Sequence, residues 1–286
     1  MIVLGFDTAT RSTAVALRLA DGRTLQARDD PAPEERPGHA TRLLGMADEL
    51  LAGAGIGWSA LQRIAVGRGP GTFTGLRVGV ATARGIAQSL GIELVGVSSL
   101  RALAEGVRRS DGGEEVSPAG DREGILAVLD ARRGEAFAAA YLPNERGSLE
   151  ELLSPRALSP EELGGIRAQV EARLADELGE RWLAVGDGAV RFRGELEAAG
   201  VAVPPDASPA HLLSAEAICE LGARTPTPPP DGAILPEYGR RPDAEIALER
   251  RRTSGSTGAK GEEALAAEAA AAAAVAGRAG GKVDGP

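Results

Sequence analysis

The sequence repeats one pattern of strand, aspartate, turn and strand. The segment VLGFDTATRSTAVAL, which contains Asp7, matches ILAVLDARRGEAFAA, which contains Asp130. The related segments IAVGRGP and LAVGDGA follow the two copies in the same order and at similar distances. Repetition of a supersecondary unit along a chain is the signature of a duplicated architecture. We therefore predict an α/β protein of two related halves, each a mixed sheet with packed helices.

Hydrophobic periodicity assigns the elements within these halves. Apolar residues at helical spacing predict helices, and short apolar runs bounded by turn residues predict strands. Asp21 and Gly22 form a hairpin dipeptide, and Gly91 is placed to end a helix. The predicted elements are three strands in the first 30 residues, a helix over 39–54, strands over 63–67 and 93–99, helices over 74–90 and 100–107, strands over 124–132 and 135–142, and a helical segment within 159–180. The segment 182–190 is predicted as a strand that ends in a glycine turn.

Changes in composition divide the chain into five segments. Residues 108–123 are polar and rich in Gly, Asp and Glu, which predicts an exposed linker or insertion. The end of the chain is rich in Ala and Gly with few large apolar residues, which predicts a frayed helix or a disordered extension. We predict a first domain over 1–107, a second domain over 124–224 whose last helix, about 209–222, packs back on the first domain, a C-terminal extended segment over 225–252 and a disordered tail over 253–286.

The composition limits the classes of function. The 286 residues are 43% apolar, which suffices for a sizeable core, and a net charge of −9 disfavours unaided binding to nucleic acid. Cys219 is the only cysteine and lies in an apolar run, so we predict a buried structural thiol. His39 and His211 are far apart and do not form a metal-binding pattern. Neither a targeting segment nor a membrane span is recognised, which predicts a cytoplasmic protein.

Asp7, Thr8 and Thr10 lie at the tip of the first predicted hairpin. An aspartate and hydroxyls at such a turn can hold a metal–phosphate group, together with Gly69 and Gly71 of a later loop. The alternative is a turn in which Asp and Thr satisfy local amides. The glycine expected between Asp and Thr in nucleotide-binding turns of this kind is missing. The sequence therefore favours the turn and leaves, at most, a vestigial nucleotide site.

The stretch 67–75, GRGPGTFTG, is the most unusual in the sequence. Its glycines and proline require a special backbone path, and it leads into a helix N-terminus that can hold an anion. It is not a Walker A loop because no Gly-Lys-Ser/Thr follows, and it lacks the third glycine of the dinucleotide fingerprint. In the second copy of the repeat, Asp130 and Asp187 are placed where they could approach Asp7 for acid–base work.

The helix predicted over 74–90 points to close packing with another helix. Gly75, Gly79 and Gly85 lie within it, and each costs ~1 kcal/mol relative to alanine inside a helix. Close approach of a second helix would offset that cost, and this helix is either the one over 39–54 or one of another chain. Arg77 and Arg84 share one helical face, and arginine is enriched at interfaces.

Several segments together resemble the bacterial TsaB (YeaZ) family. They are MIVLGFDTAT, HATRLLGMADELLAGAG, VGRGPGTFTGLRVGVATARGIA, LVGVSSLRALA, LAVLDARRGEAFAAAY, LAVGDGA and LPEYGRRPDAE, and they cover roughly residues 1–248. The glycine-rich segment is the most specific. LPEYGRRP departs from the family's Pro-x-Tyr-Leu-Arg because Gly239 replaces the leucine.

This resemblance implies an actin/Hsp70/sugar-kinase-like (ASKHA) fold of two related domains. It implies a non-catalytic subunit that binds and activates TsaD, which transfers the threonylcarbamoyl group to N6 of adenosine 37 in tRNAs reading ANN codons. It further implies that TsaE joins the complex, that tRNA is reached only through the complex and that the chain alone forms a homodimer through the same helices. No membrane, metal or cofactor of its own is expected, and any ATP or ADP is expected at the interface of the complex.

Carried onto this sequence, the family's docking surface falls on the helices that begin near His39 and Thr74. The resemblance implies an interface of His39, Arg42, Leu43, Met46, Phe73, Leu76, Arg77, Gly79, Val80 and Arg84. Leu43, Leu76 and Val80 are equally well explained as core residues, because helical spacing does not separate the two roles. The alternative function is a magnesium-nucleotide-binding kinase or hydrolase of the same fold that uses Asp7 and the glycine turns.

Overall fold

The two copies of the repeat fold into two mixed sheets in the computed structural model. The structure describes residues 1–32, 34–109, 123–144, 148–172, 181–227 and 233–239. Most of the predicted linker 108–123, most of the predicted C-terminal segment 225–252 and all of the predicted tail 253–286 lie outside these residues. None of the described helices combines the length and hydrophobicity that a bilayer crossing requires.

The first sheet contains five strands and carries helices on both faces. Its strands are β1 (Val3–Asp7), β2 (Thr13–Arg18), β3 (Thr24–Asp29), β4 (Arg63–Gly69) and β5 (Glu93–Ser98), in the order β3-β2-β1-β4-β5. Strand β1 pairs antiparallel with β2 and parallel with β4. The helices of this half are α1 (His39–Gly53), α2 (Phe73–Leu90) and α3 (Ser99–Arg109). Gly91 ends α2 in the left-handed conformation, as predicted.

The second sheet repeats the pairing of the first. Its strands are β6 (Gly124–Arg132), β7 (Glu135–Pro143), β8 (Leu149–Leu158) and β9 (Trp182–Val185), in the order β8-β7-β6-β9. Strand β6 pairs antiparallel with β7 and parallel with β9, as β1 does with β2 and β4. The helices that follow are α4 (Pro160–Gly164), α5 (Ile166–Glu171), α6 (Asp187–Arg191), α7 (Arg193–Ala198) and α8 (Ala215–Arg224). This correspondence confirms the predicted fold class of two related halves.

The segment 182–190 is a strand over Trp182–Val185 that ends in a glycine turn, as predicted. Gly186 has a φ of +110°, which L side chains rarely adopt, and it turns the chain out of the sheet. The amide of Ala189 then donates to the carbonyl oxygen of Gly186, 3.0 Å away, in the first turn of α6. The sequence did not predict the helix that begins at Asp187, because a short run such as residues 188–190 does not distinguish a helix from a strand.

Alternate residues of the strands face different helices, which gives each sheet two cores. Leu4 and Phe6 of β1 pack with α1 and α2 on one face of the first sheet, whereas Val3 packs with α8 on the other. Cys219 of α8 is buried there, with its Sγ 3.3 Å from the carbonyl oxygen of Ala16. Burial raises the pKa of this thiol to about 12, so it stays neutral. The predicted structural role of the cysteine is confirmed.

Helix α3 joins the two sheets. Its side chains Leu100 and Leu103 are fully buried in a cluster that also contains Leu76 of α2 and Ile125 and Leu129 of β6. The order of elements agrees with this position, since α3 begins directly after β5 and is the last element before β6. The end of the first sheet is therefore fixed against the second half by apolar packing.

The glycines of α2 have a different cause from the one predicted. A Cβ added at Gly75 would overlap the carbonyl oxygen of Thr8, and one added at Gly79 would overlap the Thr8 hydroxyl oxygen. Both glycines therefore admit the turn between β1 and β2, and the prediction that a partner helix occupies this space is wrong for them. A Cβ added at Gly85 would meet open space, so the prediction that another helix packs closely on α2 stands only for that position.

We expect alanine to have opposite effects at two glycines of the same helix. Gly75→Ala should lower the free energy of unfolding by about 2 kcal/mol or more, because the new methyl group displaces the β1–β2 turn. Gly85→Ala should raise it by about 1 kcal/mol, because alanine favours the helix and nothing obstructs it. Urea unfolding of both variants measures the difference, and equal effects at the two positions would contradict the packing described.

Candidate docking surface and the loops behind it

The carboxylate of Asp7 is fully engaged by the chain itself. Its Oδ1 accepts a hydrogen bond from the amide of Ala9 at 2.6 Å, and its Oδ2 accepts one from the hydroxyl of Ser99 at 2.6 Å. Asp7 is buried, and removal from water raises its pKa to about 6, which the two hydrogen bonds only partly oppose. Oδ1 therefore stabilises the turn that follows β1, and Oδ2 holds the end of β1 against the start of α3.

The β1–β2 turn and the β4–α2 loop are bonded to each other. The hydroxyl of Thr8 donates to the carbonyl oxygen of Gly75 at 2.8 Å, and the amide of Thr72 donates to the carbonyl oxygen of Ala9 at 2.7 Å. Gly71 lies so close to Ala9 that a Cβ would overlap it. Three of the predicted nucleotide-site residues, Asp7, Thr8 and Gly71, thus make contacts between loops of the same half.

The other two residues of that predicted site have separate roles. The Oγ1 of Thr10 accepts from the amide of Ser12 at 3.3 Å, which is a local turn contact. Gly69 has a φ of +112° and lies against the backbone of Glu237 near the end of the described chain. These contacts agree with the turn interpretation, in which the side chains satisfy local backbone groups.

Asp130 and Asp187, the two candidate acid–base residues of the second half, are neighbours in the structure. The Oδ1 of Asp187 accepts from the backbone amide of Asp130 at 3.0 Å, and burial raises the pKa of Asp187. The carboxylate of Asp130 pairs with Arg132 at 3.1 Å and with Arg191 at 2.9 Å. Asp130 and Asp187 thus form contacts within the second half, whereas Asp7 bonds to Ser99.

The two histidines have structural partners. The Nδ1 of His39 lies 2.9 Å from the hydroxyl of Thr13, and burial lowers the pKa of this histidine, which favours its neutral form. The Nδ1 of His211 accepts from the amide of Gly186 at 3.1 Å, so its Nε2 is the nitrogen that donates to Pro204, 3.2 Å away. Within the described ranges, no three His, Cys, Asp or Glu residues are grouped as a metal site.

The predicted docking residues divide into buried and exposed sets. His39, Leu43, Met46, Leu76, Gly79 and Val80 are buried within the chain. Their side chains pack on the sheet or on neighbouring loops, so they shape the helices without presenting a surface to a partner. This corrects the prediction for those six positions, and it decides the open question for Leu43, Leu76 and Val80 in favour of the core. The exposed set is Arg42, Phe73, Arg77 and Arg84.

Helix α2 presents one continuous exposed face, which we call the docking face. It contains Phe73, Arg77, Ala81, Arg84, Gly85 and Gln88. The ring of Phe73 is 54% exposed, which is unusual for a large aromatic side chain, and Leu44 of α1 is 50% exposed. Helix α2 contains no acidic residue, although the chain has a net charge of −9. The face therefore combines an aromatic side chain, two arginines and two small residues along the helix.

A residue distant in sequence completes this face. The rings of Tyr238 and Phe73 have centroids 5.1 Å apart, and the Nε of Arg77 donates to the Tyr238 hydroxyl at 3.1 Å. Sequence reasoning did not select Tyr238 as a site residue. The tyrosine within LPEYGRRP was its only signal, and nothing in that segment indicates which part of the fold it contacts.

We expect Asp7→Asn to remove a pH-dependent cost from folding. Because the folded-state pKa of Asp7 is raised to about 6, the wild-type chain gains stability while this group is protonated and loses it as pH rises from about 4 through 6. Asparagine keeps an acceptor for Ala9 and offers a donor towards Ser99. The free energy of unfolding of Asp7→Asn relative to wild type should therefore rise by about 3 kcal/mol between about pH 3 and about pH 8.

Asp21→Asn is the matched control for this experiment. Asp21 lies in an exposed turn, where a hydrogen bond from the Arg23 side chain lowers its pKa. Its ionised form favours the fold, so the control should lose stability relative to wild type as pH rises. Thermal unfolding across this pH range measures both variants, and a flat difference for Asp7→Asn would contradict the buried acid described above.

Comparison with known proteins identifies the relatives of this fold. The model of a family described as TsaD, tRNA N6-adenosine threonylcarbamoyltransferase, matches residues 33–186. The tRNA threonylcarbamoyladenosine biosynthesis protein TsaB of Escherichia coli is 35% identical over 66% of this chain and 72% of its own length. The protein of the same name from Haemophilus influenzae is 31% identical over 57% of this chain and 66% of its own length.

Solved structures agree with these relatives. YeaZ from Pseudomonas aeruginosa is 31% identical, with a TM-score of 0.56 over 78% of this chain and 92% of its own. A second structure from that organism, described as similar to peptidase YeaZ, is 31% identical, with a TM-score of 0.61 over 84% of this chain and 99% of its own. The chain belongs to the TsaB (YeaZ) family, which the match to the TsaD model relates to the threonylcarbamoyltransferase.

Proposed function

We propose that this chain takes part in threonylcarbamoyladenosine biosynthesis as the subunit that docks TsaD. The names of its relatives support the pathway, and the match of residues 33–186 to the TsaD model supports a partner of related fold. Related chains can pair through equivalent helices, as subunits of symmetric dimers do. The docking face of α2 is where we expect that pairing.

The exposed Phe73 with Arg77 beside it is the observation that carries this proposal. The guanidinium carbon of Arg77 lies 3.7 Å from the centre of the Phe73 ring, so the two side chains form one stacked unit. Aromatic residues and arginine are enriched at the centres of interfaces, where a few such residues supply most of the affinity. Arg77 and Arg84 also give the face a positive charge, and we expect the partner's surface to be acidic.

The same geometry supports an accessory role rather than catalysis by this chain. Both oxygens of Asp7 are occupied by Ala9 and Ser99, and Gly71 and Gly75 lie against backbone of the β1–β2 turn. A phosphate group would have to break these contacts to enter. We therefore propose that transfer takes place on TsaD, that TsaE and tRNA are reached through the complex in the cytoplasm, and that any ATP or ADP lies at the interface.

Substitutions on the docking face should weaken the complex without unfolding the chain. We expect Phe73→Ala and Arg77→Glu each to raise the Kd for the organism's own TsaD at least about tenfold, because both remove the exposed stacked unit. Leu212→Ala is the control, since Leu212 is 44% exposed but lies outside the docking face. Isothermal titration calorimetry measures the affinity, and unfolding curves check the fold.

Two outcomes separate this proposal from its rivals. Unchanged affinity for both docking-face variants would overturn the proposed surface. A stable homodimer that the same substitutions dissociate, with no binding to TsaD, would assign the face to a second copy instead. Gly79 is unsuitable for this test because its packing on Thr8 makes any side chain a folding defect.

The kinase or hydrolase alternative makes a different prediction. It requires the isolated chain to bind magnesium nucleotide, whereas the closed loops described above lead us to expect no heat of binding with millimolar Mg·ATP. Calorimetry on the isolated chain measures this directly. Saturable binding that Asp7→Asn abolishes would favour the alternative and contradict the accessory role.

A further inference from the structure

Residues 233–239, which we call the C-terminal strap, lie against the start of the docking face. We propose that the strap, through Tyr238, is a positioning element that holds Phe73 and Arg77 in the arrangement that TsaD meets. This inference rests on the proposed function and deepens it. It makes the C-terminal region of the chain, which lies far from α2 in sequence, part of the docking surface.

The strap is anchored to the β4–α2 loop by its backbone. The amide of Glu237 donates to the carbonyl oxygen of Arg68 at 2.6 Å, and the carboxylate of Glu237 lies 3.3 Å from the Arg68 guanidinium. Gly69, with a φ of +112°, leaves room for the carbonyl oxygen of Glu237, which a side chain at that position would displace. Glu237 therefore anchors the strap to the loop that leads into α2.

Gly239, directly after Tyr238, has a backbone conformation and surroundings that fit glycine. Its φ of +61° is a conformation that side chains rarely adopt, and a Cβ there would lie 2.8 Å from the Cβ of Pro70 and 3.0 Å from the Phe137 ring. The strap is thus held between the β4–α2 loop and strand β7 of the second half. Glycine at this position fits that path, and the leucine of the family pattern would not.

Tyr238, Phe73 and Arg77 form a closed triangle of contacts. The centroids of the Tyr238 and Phe73 rings are 5.1 Å apart, and the guanidinium carbon of Arg77 lies 3.7 Å from the centre of the Phe73 ring. The Arg77 Nε donates to the Tyr238 hydroxyl at 3.1 Å. An exposed arginine otherwise samples many rotamers, and fixing it on binding costs entropy. A strap that fixes it beforehand removes part of that cost, which is how preorganisation raises affinity.

A double-mutant cycle tests this role in the full-length chain. Tyr238→Phe keeps the ring and removes only the hydroxyl that orients Arg77, so we expect the Kd for TsaD to rise about threefold. In the Arg77→Ala background the same change should have no further effect, because the group it positions is gone. Tyr238→Ala, which also frees the Phe73 ring, should raise the Kd about tenfold.

Ser154→Ala is the matched control for the loss of an exposed hydroxyl. Ser154 lies on β8, and its hydroxyl donates to Glu151 at 2.6 Å. Its Kd should equal that of wild type. Should Tyr238→Ala fold poorly, Tyr238→Phe still decides the question, since it retains the packed ring.

The possible results assign failure to one proposal or the other. An unchanged Kd for both Tyr238 variants beside a raised Kd for Arg77→Glu would overturn the role of the strap and leave the docking face standing. A threefold loss that persists in the Arg77→Ala background would also overturn it, because Tyr238 would then act on the partner directly. Failure of the wild-type chain to bind TsaD would overturn the proposed function and this inference together.

Discussion

The contact between the β1–β2 turn and the β4–α2 loop organises the first half. Thr8 reaches the first turn of α2 through the carbonyl oxygen of Gly75, and only glycines on that side of the helix let it approach. Asp7, one residue earlier, bonds to Ser99 at the start of α3. One short turn thereby fixes the positions of two helices, and α3 carries that position into the core shared with the second sheet.

Burying Asp7 in this contact costs folding free energy but fixes the geometry of the loops. A carboxyl group away from water disfavours its own ionisation, which is why the pKa of Asp7 lies near 6 despite two hydrogen bonds. The contacts of Asp7 and Thr8 fix the point at which α2 starts. Beside that point, the amide of Glu237 donates to the carbonyl oxygen of Arg68. The docking face is therefore the outer side of a helix whose inner side is fixed by polar contacts, and a surface of this kind loses little entropy on binding.

The sequence predicted the repeat, the strands of the first half and both of its long helices because their apolar periodicity is strong. It missed β8, whose LEELLSPRAL has charges and a proline in place of clean alternation. It assigned Gly75 and Gly79 to a partner because spacing shows that a helix needs room but not what fills it. Leu43 and Val80 were ambiguous for the same reason, and Tyr238 reaches Phe73 only through the tertiary fold.

Gly85 is the glycine of α2 that packing among the described residues leaves unexplained. Apart from its own helix, no described residue lies within 4 Å of the position its Cβ would take, so among the described residues Gly85 only weakens its helix. It lies on the docking face with Ala81, between the stacked Phe73 and Arg77 at one end and Gln88 at the other. On the docking that we propose, a partner helix that crosses there approaches the backbone closely. A methyl group that strengthens α2 would then obstruct the partner, so stability and docking oppose each other at this residue.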